Sequence, residues 1–373
     1  MAATIDDFLD YLFTFAEGDV DIKVTYKGEH VKGKVVGQFI ALASPVLNRF
    51  LFPPWSNVGD PPVTFLDFSE DDGDAILIIL RVIHLQLARI PKSIDLQTAY
   101  AVAQICEQYD CLYLISPWVD LWLAALQGSE GNLLTEHAKE KMAYVCWAIG
   151  KLEIFQSLAM EMVKATCISQ QKALDNNGIV NVLPLFGLSR EILPDGLYES
   201  IRSVRKSTIE KLLAIPYNEV ERFSLACRSQ GASFMCQHQS HHCDIYTYGS
   251  LTIELSAVGL WPKKAADDVD TSIETLAKEL SELSLFTLPR LGGESVHHVR
   301  CGGNNYRHQV ELIIGTIPDP VLESHIRHME LRKQALEIDE EEEFSNQYKC
   351  VRCSTYHSTV QGCSPNPRQR PAE

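Results

Sequence analysis

Cysteine and histidine are the residue types in this chain best suited to chemistry, and they are gathered rather than scattered. The stretch CRSQGASFMCQHQSHHCDIY, residues 227–246, holds Cys227, Cys236, His238, His241, His242 and Cys243. Zinc takes four sulfur or imidazole ligands in a tetrahedron, and this density can supply part of such a set, with Cys301 or His308 as distant partners. The spacing matches no standard finger. A second chemistry is open to the same residues: a thiolate nucleophile needs a nearby base, which His241 or His242 would provide for Cys236. The chain has no Gly-x-Ser-x-Gly elbow, phosphate-cradling glycine loop, dinucleotide fingerprint or His-Glu-x-x-His helix, so the expectation is a protein that is not an enzyme.

A second group, KCVRCSTYHSTVQGC at residues 349–363, reads Cys-x2-Cys-x3-His-x5-Cys. It resembles a zinc knuckle, whose usual spacings differ by one residue in each of the last two gaps. The resemblance makes Cys350, Cys353, His357 and Cys363 the first metal candidates, with zinc as the cofactor. The competing reading is a tail that simply contains cysteines, since the acidic run IDEEEEF at 338–344 precedes it and SPNPRQRPAE ends the chain.

Charge narrows the partners. Lysine and arginine number 33 against 49 aspartates and glutamates, a net charge of −16, so the long-range field repels phosphate backbones and anionic lipid. Neither nucleic acid nor a membrane is expected as a partner. Eleven cysteines without a regular framework fit a reducing compartment, and Asp6, Asp7 and Asp10 with no basic residue before Lys23 are the opposite of a secretory signal. Residues 75–90, AILIILRVIHLQLARI, are interrupted by Arg81 and His84 and read as a core helix rather than a membrane span. The expected location is intracellular, cytoplasmic or nuclear. The RSVRK cluster at 202–206 reads as a solvated helix face in preference to a nuclear signal.

The elements that must position these residues begin with an expected amphipathic helix over 4–15, where Ile5, Phe8, Leu9, Leu12 and Phe13 share one stripe. From Asp19 the period changes to two. Val20, Ile22, Val24 and Tyr26 alternate with polar residues, Lys27-Gly28 can turn the chain, and Val31, Gly33 and Val35 return as a second strand. Val36, Phe39, Ile40 and Leu42 cover one side of a short helix. Ser44 caps the next, with Pro45 at its first position, and Pro53-Pro54 ends that second helix. A third strand is expected over 61–68, a helix apolar nearly all round from Asp74, and another helix over 93–112.

In this order the segments GDVDIKV, FIALASPVLNRFL, VTFLDF, AILIILRVIH and AVAQICEQYDCLYLI resemble the BTB/POZ domain, in particular its large fungal group. The resemblance covers about the first 125 residues. Ser44 stands where the family has the serine between its two short helices, Leu47 replaces a usual phenylalanine, and His84 falls where many members have tyrosine. Val36 and Gly37 stand where many members have histidine and a basic residue, so the charged pocket of some transcription-factor members is absent although Asp19 remains. What the resemblance implies is binding of a protein partner, with a homodimer formed through Phe8, Leu9, Leu12 and Phe13. The alternative it offers is a substrate adaptor docked on a cullin scaffold, but HLQLARIP lacks the glutamate of a hydrophobic-x-Glu signature.

The expected fold is α+β: a BTB/POZ-like domain over 1–125, a helical extension over 126–226, a helical and Cys/His-containing region over 227–336, and an acidic tail over 337–373. Within the third part, Ile273, Leu276, Leu280 and Leu283 mark an amphipathic helix docked on its neighbours. A zinc-binding regulatory protein acting through the C-terminal clusters is the remaining functional alternative.

Overall fold

The structure, a computed structural model of the chain, describes residues 10–53, 63–130, 135–174, 180–228, 234–286, 288, 298, 301, 306–336, 348–349 and 356–357. It is a mixed α+β fold, mostly helical, with a small sheet of three strands near its start. Strands β1 (Val20–Tyr26) and β2 (Glu29–Val35) form the expected hairpin, in register from Val20 opposite Val35 to Tyr26 opposite Glu29. Strand β3 (Phe65–Phe68) adds in parallel on the other side of β1, giving the order β2-β1-β3. The alternation predicted for β1 is the one observed, with Val20, Ile22, Val24 and Tyr26 buried.

Between β2 and β3 lie two short helices, α1 (Gly37–Ala43) and α2 (Pro45–Leu51). Ser44 is the joint between them, fully buried, and its hydroxyl accepts from the Leu47 N–H at 3.0 Å while donating to the Tyr109 carbonyl at 2.5 Å. Helix α3 (Gly73–Ile83) starts at Asp72, which caps the Asp74 and Ala75 N–H groups, and buries every position from Ala75 to Leu80. Helix α4 (Leu96–Tyr109) packs against it and ends on Asp110 in the left-handed region, φ 49°.

The first segment departs from expectation. Helix is described only over residues 10–12, and Phe13 to Phe15 then run extended beside β2, where Lys34 donates to the Phe13 carbonyl at 3.1 Å and Phe15 donates to the Lys34 carbonyl at 2.8 Å. Phe13 and Phe15 both enter the core, two residues apart, as an extended chain requires. Gly33 permits this, because a Cβ there would collide with the Phe13 main chain. Phe13 is thus 0 % exposed in its own subunit, where the expected stripe had it facing a partner. Leu12 is half-buried against the core, and Phe8 and Leu9 lie outside the described residues.

Beyond α4 follow α5 (Ser116–Glu130), α6 (Glu136–Ala148) and α7 (Leu152–Ala165). A hairpin of β4 (Ile168–Leu174) and β5 (Val180–Phe186) interrupts the helices of the stretch expected as a helical extension. Helix α8 (Leu197–Arg228) continues past an internal Pro216, around which Leu212, Leu213, Tyr217 and Val220 are buried. Helices α9 (His241–Ala257), α10 (Ile273–Glu282), α11 (Tyr306–Gly315) and α12 (Glu323–Leu336) complete the main body. As predicted, α10 buries Ile273, Leu276 and Leu280, and it packs against α8 and α11. A last pair, β6 (Tyr348–Lys349) and β7 (Tyr356–His357), is antiparallel.

One hydrophobic core of buried residues runs from Phe13 to Met329. Helix α12 returns to the N-terminal part. Arg332 grips Glu107 with two nitrogens at 2.9 and 3.1 Å and Asp110 at 2.9 Å, and His328 stacks on Trp147 at 4.0 Å. Gly150, at φ 75°, lets the α12 backbone approach, since a Cβ would stand 2.7 Å from the Met329 carbonyl.

His84, at the C-terminal end of α3, carries a pH prediction. Its Nδ1–H donates to the Leu80 carbonyl at 2.8 Å, so Nε2 must accept from the Val36 N–H at 3.0 Å, and the ring stacks on Phe15 at 3.9 Å. Only the neutral ring can do this, and burial lowers its pKa from 6.5. A depressed folded-state pKa means that the unfolded chain takes up the proton first. The contribution of His84 is therefore complete above about pH 6.5, is lost as pH falls below that value, and levels off beneath the folded-state pKa. Denaturant unfolding from pH 8 to 5 should show a steeper loss in wild type than in His84→Gln; equal slopes would contradict it.

Candidate functional site

Two features stand out: a cluster of sulfur and imidazole in the C-terminal half, and an apolar groove in the N-terminal part. The cluster consists of Cys236, Cys243, His298 and Cys301, whose ligand atoms all lie within 4.8 Å of one another. Cys236 Sγ is 3.7 Å from Cys301 Sγ and 3.5 Å from His298 Nδ1, and Cys301 Sγ is 3.8 Å from that same nitrogen.

Local chemistry builds the site. Ser240 caps α9, its hydroxyl accepting from the Cys243 N–H, which places Cys243 in the first turn. Asp244, buried beside it, reaches back to accept from the Cys236 and Met235 N–H groups at 2.7 and 3.2 Å, and so holds the preceding loop against the helix start. Cys301 donates its N–H to the His298 carbonyl at 2.9 Å, a turn that brings its side chain and the imidazole to the same side. Three N–H groups of this region serve the sulfurs or their loop: His238 N–H points at Cys236 Sγ at 3.3 Å, Gln237 N–H at the Cys301 thiol, and Gln239 N–H at the Cys236 carbonyl at 3.0 Å. Burial, and then the neighbouring Cys236 and Cys301 thiols, push the Cys243 thiol up to about 12; burial pushes Cys301 up as well. A bound cation reverses this logic, since it stabilises thiolates outright. The four residues can hold a metal ion.

The other residues singled out in the sequence fall elsewhere. His238 is exposed with its ring edge-on to His298 at 5.3 Å, His241 lies 4.5 Å from the Phe234 ring, and His242 and His308 are exposed. Cys227 sits half-buried near the end of α8. The imidazole beside Cys236 is that of His298, whereas the sequence reading paired it with His241 or His242. His298 escaped sequence reasoning, although His298-x2-Cys301 is a ligand spacing in its own right. Cys350, Cys353 and Cys363 lie outside the described residues, and of His357 only its main chain, in β7, is described.

The groove lies between α1, the end of α3 and the turn before α5. Phe39, Leu42, Leu85, Leu87, Tyr113 and Trp118 line a volume of about 420 Å³. Leu42 and Leu85 are 78 % and 74 % exposed, and Tyr113 braces α1 by donating to the Leu42 and Ala43 carbonyls. No helix among the described residues is long and apolar enough to cross a membrane. Compared with protein-family models, curated proteins and solved structures, the chain matches none.

Proposed function

We propose that this chain is a non-enzymatic protein-interaction protein whose first third is a BTB/POZ-like module, and that the module meets a second copy of itself through the groove of Phe39, Leu42, Leu85 and Tyr113. The observation that carries the reading is the contiguous apolar surface itself, with two leucines more than 70 % exposed at its rim. Water contact with so much apolar area is unfavourable, and patches of this kind mark interaction sites. Supporting it are the element order of hairpin, paired helices, strand and two helices, the β2-β1-β3 sheet with its parallel β1–β3 pair, and Ser44 at the helix joint. The resemblance placed the dimer surface on residues 8–13, whereas the burial of Phe13 favours the groove. Behind this module, the C-terminal half carries the metal-ligating set.

Light scattering on the full chain tests the reading. Wild type should be dimeric at micromolar concentration, and Leu42→Asp with Leu85→Asp should raise the dissociation constant about 100-fold or more, since each carboxylate would be desolvated in the contact. Both side chains are exposed in the single chain, so the intrinsic unfolding free energy of the monomer should change by no more than about 0.5 kcal/mol. A wild-type chain that remains monomeric, or a double variant that still dimerises, rules out self-association through this surface.

A further inference from the structure

We propose that Cys236, Cys243, His298 and Cys301 bind one zinc ion in a closed tetrahedral site, a clasp that ties the 298–301 turn to the start of α9. The inference is independent of the groove and of the N-terminal resemblance.

Geometry argues first. With Zn–S near 2.3 Å and Zn–N near 2.0–2.1 Å, a tetrahedron has S···S edges of about 3.8 Å and S···N edges of about 3.6 Å. The observed edges are 3.7 Å for Cys236–Cys301, 3.5 Å for Cys236–His298 and 3.8 Å for Cys301–His298. A disulfide would need an S–S separation of about 2.05 Å, so Cys236 and Cys301 are not bonded to each other, and the Cys243 sulfur lies within 4.8 Å of the other three ligand atoms.

Ligand chemistry argues second. Three thiols and one imidazole suit zinc over magnesium or calcium, which take oxygen, and the four side chains fill a tetrahedral shell with no vacancy for substrate. Such closure belongs to a structural site. Binding releases the three thiol protons to solvent, leaving three thiolates around a dication, a net charge of −1 that the His238 and Gln237 N–H groups directed at the sulfurs help to offset. Sequence order explains what the clasp accomplishes. Cys236 and Cys243 bracket the capped start of α9, whereas His298 and Cys301 precede α11, whose Tyr306 hydroxyl donates to the buried Glu219 carboxylate of α8. Zinc would thus cross-link two loops and set the entry of α11 onto α8.

The test is elemental analysis of the full chain, purified without a polyhistidine tag or chelator, in a background of Cys350→Ser with Cys353→Ser so that the tail cannot contribute metal. One zinc per chain is expected to survive dialysis, and Cys236→Ser or Cys301→Ser should abolish it, while Cys227→Ser and His242→Ala retain it. Because a serine variant can fail to fold, Cys301→His supplies a second readout. After cobalt exchange it should keep the visible bands of a tetrahedral site but lose about a third of the thiolate charge-transfer intensity, three sulfur ligands having become two. A folded background protein without zinc, or zinc unaffected by Cys236→Ser, or cobalt spectra identical in wild type and Cys301→His, would overturn the proposal.

Discussion

Arg205→Met should destabilise the protein by about 4 kcal/mol, measured as the shift of the urea unfolding curve. The Arg205 side chain is 2 % exposed in α8, and its guanidinium donates to three main-chain carbonyls: Thr166 at 3.1 Å, Val269 at 3.0 Å and Thr271 at 2.7 Å. Those carbonyls belong to the end of α7 and to the segment that leads into α10, so one side chain joins three parts of the chain. Methionine fills much of the same volume, and what it cannot supply is the donors. Each carbonyl left without one in a buried place costs about 1–3 kcal/mol, whereas the removal of a desolvated cation returns part of that. Burial already lowers the Arg205 pKa, as expected of a cation held away from water. Arg205→Lys should recover less than half of the loss, because an ammonium cannot span three acceptors in one plane. A loss below about 1 kcal/mol for Arg205→Met would show that the carbonyls find water instead.

The role of Arg205 was legible in spacing and hidden by composition. Ile201, Arg205, Thr208, Ile209 and Leu212 share one buried stripe of α8, with intervals of 4, 3, 1 and 3 residues. Within RSVRK, however, a charged residue at a stripe position reads as part of a solvated basic cluster, and only the three carbonyls explain its burial. By the opposite route, β1 and β2 were readable because strict alternation fixes which face is buried. Phe13 satisfied two patterns together. It completes a helical stripe with Leu9 and Leu12, and it also alternates with Phe15, and the tertiary partner Lys34 with the space left by Gly33 decided for the extended form.

Three of the four residues in the metal cluster were readable and one was not, for a physical reason. Cys236 and Cys243 are close in sequence and flank a helix cap, so proximity alone drew attention to them. Cys301 was already open as a distant partner, whereas His298 joins the set only by tertiary folding: His298-x2-Cys301 is a ligand spacing, but nothing in it tells which distant residues complete the shell. The ion pair of Arg332 with Glu107, which no local pattern announces, joins α12 to α4 across more than half the chain. Experiments on the N-terminal part alone would therefore expose a surface that α12 covers.

Ser44→Ala should cost about 3 kcal/mol, although it removes a single oxygen. Ser44 has extended backbone angles, φ −154° and ψ 123°, that alanine adopts without strain, so the whole effect belongs to the hydroxyl. That hydroxyl is used twice. As acceptor it caps α2 through the Leu47 N–H, worth about 1 kcal/mol; as donor it satisfies the Tyr109 carbonyl at the end of α4, which would otherwise be buried and unpaired at about 1–3 kcal/mol. Ser272→Ala separates the two terms, because the Ser272 hydroxyl caps α10 through the Thr275 N–H and otherwise bonds, among the described residues, only the nearby Thr275 hydroxyl; it should cost only about 1 kcal/mol. If both variants lose the same amount in chemical denaturation, the bond to Tyr109 contributes nothing net. The larger loss would show that a polar break between two apolar helices is held by a distant part of the chain. It should carry a functional consequence as well, since α1 presents Leu42 to the groove and is fixed at its far end by this joint. Ser44→Ala should then weaken self-association together with stability, whereas Ser272→Ala should leave it unchanged.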